Sequence, residues 1–254
     1  MWAKVMKDRY NATDPRSHLM RTHVQTAGCS LTEQQPLNNV MRVAYQALAG
    51  VLGGCQSLHT NSMDETLGLP TEMAVRVALR TQQILAAETG THRTVDPLGG
   101  SWYVEALTDR LEADADEIIK TVDDMGGVVE GIHQGYFRRA IAEASYRYGQ
   151  EMETHDRVVV GVNAFADGNE EHQVEILQIP HTVEVDQCER LADFRRDRDP
   201  DAAQRGLDEI RRAARDADNV MPAFIEAALA RCTIGEMVQA LADVYGRYTS
   251  GPEW

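Results

Sequence analysis

The stretch Gly53-Gly54-Cys55-Gln56-Ser57-Leu58-His59-Thr60-Asn61-Ser62-Met63-Asp64-Glu65-Thr66-Leu67-Gly68-Leu69-Pro70 decides how the chain reads. A glycine pair stops whatever precedes it, a short strand-like run follows, and polar side chains crowd the approach to a helix signalled near Thr71. Read as a strand, the run places Ser57, His59 and Asn61 on one face and Leu58 and Thr60 on the other. Asn61 and Glu65 then fall where strand gives way to loop and helix, the place where α/β barrels keep their chemistry. The alternative is a polar turn that caps the following helix.

Working outward, a similar pattern precedes it. His18 to Gly28 is short enough for a strand, with Arg21, His23 and Gln25 on one face. Two hydrogen-bonding groups side by side, His23 and Gln25, suit a polar ligand, although a histidine on a strand is more often structural. Between the two strands, Pro36 opens a helix whose apolar positions Val40, Val43, Ala44, Ala47, Leu48 and Val51 follow helical spacing. After them, Ala74, Val77, Ala78, Thr81, Ile84 and Leu85 mark a second helical stripe, stopped by Gly90. Strand, helix, strand, helix predicts parallel strands covered by helices.

Beyond Gly90 the texture becomes helical. Asp96-Pro97-Leu98-Gly99-Gly100-Ser101 reads as a turn, or as a phosphate cradle lacking the lysine of a P-loop. It leads to a helix carrying Leu107, Leu111, Ile118, Val122 and Met125, and a further helix spans about 134–152. Short strands are expected near 158–162 and 174–179. Residues 186–219 are charge-rich, with Asp-Arg alternation at Arg195-Arg196-Asp197-Arg198-Asp199, most simply a solvated helix start with Pro200 in its first turn. Thr233 and Glu236 form the capping box of a last helix that is expected to bury Met237, Leu241, Val244 and Tyr248.

Several segments together closely resemble the large chain of adenosylcobalamin-dependent acyl-CoA mutases, the methylmalonyl-CoA mutase family. They are Arg21-Thr22-His23-Val24-Gln25-Thr26-Ala27-Gly28, Leu31-Thr32-Glu33-Gln34-Gln35-Pro36-Leu37-Asn38-Asn39, Gln56 to Glu65, and Leu69-Pro70-Thr71. The likeness continues through Asp96 to Ser101, Met125-Gly126-Gly127 and Val160-Gly161-Val162-Asn163. It implies an α/β fold: residues 1–98 as the C-terminal βα units of a (β/α)8 TIM barrel, and 99–254 as a mostly helical linker or docking segment.

By the same resemblance His23 and Gln25 face the reaction cavity as catalytic residues. Gly28, Asn61, Glu65 and Gly68 contact the cofactor, adenosylcobalamin, with Asn61 and Glu65 on the adenosyl ribose and Gly28 giving clearance beside the corrin. A ribose diol takes an acceptor and a mixed donor-acceptor, which Glu and Asn supply. The implied reaction is a radical carbon-skeleton isomerisation of an acyl-CoA, in which the cofactor carries the hard chemistry. No residue is assigned to a metal. The family's Asp-x-His-x-x-Gly cobalt-ligating motif does not occur among the eight histidines, so a small cobalamin-binding subunit is expected as a partner. A chain carrying the N-terminal barrel half is expected as another, because the resemblance begins deep inside the barrel. Alone, the chain is expected to be inactive. The rival expectation is a non-catalytic remnant or assembly module of such a mutase.

Composition narrows the partners. The 254 residues hold 25 basic and 40 acidic side chains, a formal charge of −15, with lysine only at Lys4, Lys7 and Lys120. Neither nucleic acid nor an anionic membrane suits such a surface. Cys29, Cys55, Cys188 and Cys232 form no CxxC pair, no apolar run approaches a membrane span, and the chain reads as cytoplasmic. An acidic, lysine-poor surface suits high salt, where carboxylate repulsion is screened. The unfolding midpoint is therefore expected to rise across a potassium chloride series, and full stability in dilute buffer would contradict this.

Overall fold

The computed structural model describes residues 1–166 and 174–249. They fall into two compact units, Met1–Leu177 and Gln178–Trp254.

The first unit begins with helix α1 (Trp2–Asp8) and reaches strand β1 (His23–Gln25) through a helical turn at Pro15–His18. Helix α2 (Asn38–Gly53), strand β2 (Ser57–His59) and helix α3 (Glu72–Glu88) follow. β1 and β2 pair in parallel, with His23 opposite Ser57, Val24 opposite Leu58 and Gln25 opposite His59. A helix between two parallel strands is the βα order the sequence predicts. Both strands are shorter than their sequence patterns, because only three residues of each meet a partner. The sheet has two strands among the described residues, so the architecture is a mostly helical α/β unit.

Packing explains the register. Val24 and Leu58 face α2, where Gly50 admits them: a Cβ there would lie 2.9 Å from Val24 Cγ1. Val43 and Ala47 of α2 are buried on that side. α3 starts where expected, with Thr71 Oγ1 accepting the Ala74 N–H at 3.3 Å. Its buried stripe is Ala74, Ala78, Thr81 and Leu85, whereas Ile84 is 48% exposed. One helical face cannot bury Ile84 and Ala78 together once Thr81 takes the centre.

Helix α4 (Trp102–Asp124) is less covered than its apolar spacing predicts: Val122 is buried, but Leu111 is 59% exposed. Ion pairs tie it to α1, Lys4 Nζ to Glu112 at 2.8 Å and Arg9 to both oxygens of Asp123. Helices α5 (Val128–His133) and α6 (Tyr136–Glu153) follow. The strands expected at 158–162 and 174–179 do not form. Residues 158–165 make a tight turn with one isolated bridge, Val160 to Ala164, because Gly161 at φ 81° and the Asn163 side chain close the backbone on itself. From Val174 to Pro180 there is no strand. The Asp96 to Ser101 segment is a turn. Glu105 Oε1 accepts the Gly100 N–H at 2.8 Å, so a carboxylate occupies an amide that a phosphate would need.

The second unit holds α7 (His181–Arg196), α8 (Pro200–Arg215), α9 (Met221–Leu229) and α10 (Ile234–Tyr245). Ala203, Ile210 and Ala213 of α8 meet Ala223 and Ala227 of α9 and Met237 and Ala240 of α10. Gly206 permits this approach, since a Cβ there would lie 2.9 Å from Ala227 Cα. The predicted capping box of Thr233 and Glu236 is present, and Pro200 stands at the start of α8 behind the N-cap Asp199. Leu241 packs at the edge of this core, while Tyr248, predicted buried, is 75% exposed beyond the end of α10. Among the described residues no helix is long and apolar enough to cross a membrane.

Arg198 binds both carboxylate oxygens of Glu236 at 2.7 Å, and both side chains are largely covered. This hydrogen bonding holds the Glu236 carboxyl down to about 2. A depressed carboxyl stabilises the fold above its unfolded value, near 4.5, and that contribution fades as pH falls toward 2. Glu236→Gln is expected to cost about 2 kcal/mol at pH 7 and progressively less below pH 4.5, measured by urea unfolding of the full chain. A cost independent of pH would contradict the ion pair's role.

Candidate functional site

Polar groups gather just past the C-terminal ends of β1 and β2. The pairing continues there by one backbone and one side-chain bond: Thr26 N–H donates to the His59 carbonyl at 3.1 Å, and Thr26 Oγ1 accepts the Asn61 N–H at 2.9 Å. Thr26 is 4% exposed and Asn61 is 2% exposed, so the strand pairing fixes the start of the loop that carries the site.

Gln25, Gly28, Asn61 and Glu65 come together. Gln25 Nε2 donates to Asn61 Oδ1 at 3.1 Å. A Cβ on Gly28 would overlap Glu65 Oε1 and lie 2.8 Å from Asn61 Nδ2. Glycine at 28 therefore lets backbone reach both side chains. The Asn61 Nδ2 is buried and without a hydrogen-bond partner. Leaving such a donor unmatched would cost about 1 to 3 kcal/mol, so it calls for a partner, an ordered water or a ligand group.

His23 stands one pair back along the sheet, its Nδ1 2.7 Å from Ser57 Oγ across the strands. Both are exposed on the face that also carries Gln25 and His59. Gly68 lies apart from the other predicted residues. Its N–H closes a turn on the Asp64 carbonyl at 3.2 Å, and a Cβ there would meet Ile176 Cγ2 at 3.4 Å.

Three residues that the sequence alone did not single out hold the loop. Thr26 is the first. Asp64, 2% exposed, accepts the Thr71 N–H at 2.9 Å and the Thr71 hydroxyl at 3.1 Å, joining the loop to the start of α3. Its other oxygen is buried and unpartnered. Gln82 of α3 donates to Thr60 Oγ1 at 3.0 Å, and that hydroxyl donates to the Ala78 carbonyl at 2.8 Å. The signal for Asp64 was its place seven residues before an N-cap threonine; nothing in spacing pointed to Thr26 or Gln82.

A cavity of about 330 Å³ opens beside this loop. Gln25, His59, Ser62 and Glu65 supply polar lining, and Val75 and Leu79 of α3 supply apolar lining. None of the lining residues is Lys or Arg. Such a surface has nothing to neutralise a phosphate and suits a neutral, hydroxyl-rich group with an apolar body. Among the described residues no group of three or more His, Cys, Asp or Glu side chains is placed to hold a metal ion.

Ligand groups collected beyond the C-terminal ends of parallel strands, with a helix between the strands, are how α/β proteins build binding sites. A sequence model of the methylmalonyl-CoA mutase family matches residues 1–247, and the chain belongs to that family. Its relatives include the 2-hydroxyisobutanoyl-CoA mutase large subunit of Aquincola tertiaricarbonis, 42% identical over 99% of this chain and 45% of that protein. The methylmalonyl-CoA mutase of Rhizobium meliloti is 41% identical over 100% of this chain and 36% of its own length. That of Escherichia coli is 42% identical over 98% of this chain and 35% of its own. The chain therefore spans between about a third and under half the length of these relatives.

Gly28→Ala is expected to leave the unfolding midpoint nearly unchanged, within about 1 kcal/mol, because the exposed Glu65 carboxylate can swing away. Asn61, held by Thr26 and Gln25, is expected to shift. The Asn61 side-chain amide resonance in the NMR spectrum checks this, and an unmoved resonance would contradict the packing of Gly28.

Proposed function

We propose that this chain is a component of an adenosylcobalamin-dependent acyl-CoA mutase. Residues 1–98 supply C-terminal βα units of a (β/α)8 barrel, and residues 99–254 form a helical linker or docking segment. The remaining barrel strands and a cobalamin-binding domain, supplied from outside residues 1–254, complete the assembly. One observation carries the reading: the buried, unpartnered Asn61 Nδ2 lies beside Gly28, against which Glu65 Oε1 also packs, at the C-terminal ends of parallel strands.

The residues present fit the nucleoside part of that cofactor. Asn61 Nδ2 would donate to one ribose hydroxyl and the Glu65 carboxylate would accept from another, while Gly28 leaves room for a flat neighbour. When bound, adenosylcobalamin supplies the radical chemistry. This chain's own groups orient and shield. Gln25 holds Asn61 in its rotamer, and His23 and Gln25 would present hydrogen-bonding groups toward the acyl group. Gly68 would meet the cobalamin at the far end of the same loop.

Exposed apolar surface supports the need for cover. Val75 and Leu79 beside the open edge of β2, and Leu107, Leu111 and Ile118 on α4, are among the exposed apolar side chains. Unpaired strand edges and apolar faces of this kind call for cover.

Tagging the chain in its own host, purifying it at native salt and identifying what accompanies it by mass spectrometry tests this, with cobalamin assayed in the eluate. Copurification with the remaining barrel strands and a cobalamin chain is expected. In the assembly, Glu65→Ala and Gln25→Ala are each expected to lower mutase turnover by about tenfold or more. A chain that emerges alone and without cobalamin would instead identify a non-catalytic remnant.

A further inference from the structure

The turn at residues 158–165 is fastened to the segment behind the candidate site. Asn163 shapes it: Oδ1 accepts the Val159 N–H at 2.8 Å, and Nδ2 donates to the carbonyls of Met152 at 2.9 Å and Arg157 at 2.8 Å. The turn's outward carbonyls are then taken from α2 and the residues before it. Val160 O accepts Arg42 Nη2 at 2.8 Å, and Phe165 O accepts Gln35 Nε2 at 2.9 Å.

Arg42 passes this contact inward. Its Nη1 donates to Thr32 Oγ1 at 2.7 Å and to Asn39 Oδ1 at 2.8 Å, so all three bonds end on neutral oxygens. Asn39 is fully buried. Its Oδ1 also accepts the Thr32 N–H at 3.1 Å, and its Nδ2 donates to Thr32 O at 2.9 Å and to Met63 O at 2.8 Å. Met63 lies midway between Asn61 and Glu65. A guanidinium is a rigid planar fork, and a buried amide with every position used cannot turn without stranding a donor or acceptor. Displacement of the 158–165 turn is therefore felt at Met63, more than ninety residues earlier in sequence.

We propose that Arg42 and Asn39 are positioning residues, through which the 158–165 turn sets the place of the Asn61–Glu65 loop. The proposal rests on the reading of that loop as the ligand-binding part of the site. The contrasting account is that Arg42 only braces the start of α2. The two differ in what a change at Asn163 does, since Asn163 touches neither α2 nor the loop by any of its hydrogen bonds.

The test is hydrogen–deuterium exchange by mass spectrometry on the full chain, comparing wild type with Arg42→Met, Asn163→Ala and the double variant. Each single change is expected to speed exchange of the 61–65 segment about tenfold while α3 and the 181–245 helices keep wild-type protection. The double variant is expected to be no faster than the faster single one, because both break one line of contact. Wild-type exchange at 61–65 in Asn163→Ala, additive effects in the double variant, or a loop already unprotected in wild type would each overturn the proposal. Loss of α3 protection in Arg42→Met alone would mark a folding defect, and Asn163→Ala then decides. The readout needs no ligand, so a purified assembly without cobalamin would remove the ligand reading and leave this result standing.

Discussion

Everything near the site depends on a very short parallel pairing. Three residues of β1 meet three of β2, and a two-stranded sheet of that size is at best marginal by itself. Hydrogen bonds at both ends extend it. Gln56 N–H reaches the Thr22 carbonyl before the ladder, and Thr26 joins His59 and Asn61 after it. Gly50 lets α2 lie close on the apolar side. The pairing thereby does two things: it holds α2 and α3 in sequence order around a sheet, and it delivers Asn61 to a buried position with its amide nitrogen unpartnered.

The site is built by the same logic of incomplete satisfaction. Asn61 gives its oxygen to Gln25 and its backbone N–H to Thr26, yet its Nδ2 has no partner. Asp64 uses one oxygen on Thr71 and leaves the other unmatched. Beneath them Asn39 uses every hydrogen-bonding position of its amide. A loop whose support is saturated while its two inward polar groups are not is organised for something that the described residues do not supply.

Local signals in the sequence were strong where a single element sufficed. The Thr71 cap, the Thr233 and Glu236 capping box, the helix start at Pro200 and the alternation at Ser57, Leu58 and His59 all depend on neighbours a few residues apart. No short pattern showed that Gln25, Gly28, Asn61 and Glu65 would come together across the strand pair. What spacing could not reveal were contacts set by distant chain. Thr26 and Gln82 act across the strand pair and from α3, and the 158–165 turn gains its place from Arg42 and Gln35. The valine run there has the composition of a strand, but Gly161 and Asn163 turn it, and among the described residues no partner strand stands beside it. α4 shows the converse: a stripe with the spacing of a buried face remains mostly exposed, because spacing records which side wants cover and not whether this chain provides it.

The central claim is that Asn61 and Glu65 receive a nucleoside-bearing cofactor in an assembly that closes the sheet. A structure of the copurified assembly with adenosylcobalamin tests it most directly. The account predicts ribose hydroxyls within hydrogen-bond distance of Asn61 Nδ2 and the Glu65 carboxylate, and a partner strand against the open edge of β1 or β2. A cofactor seated elsewhere, with Asn61 Nδ2 still unpartnered, would contradict it.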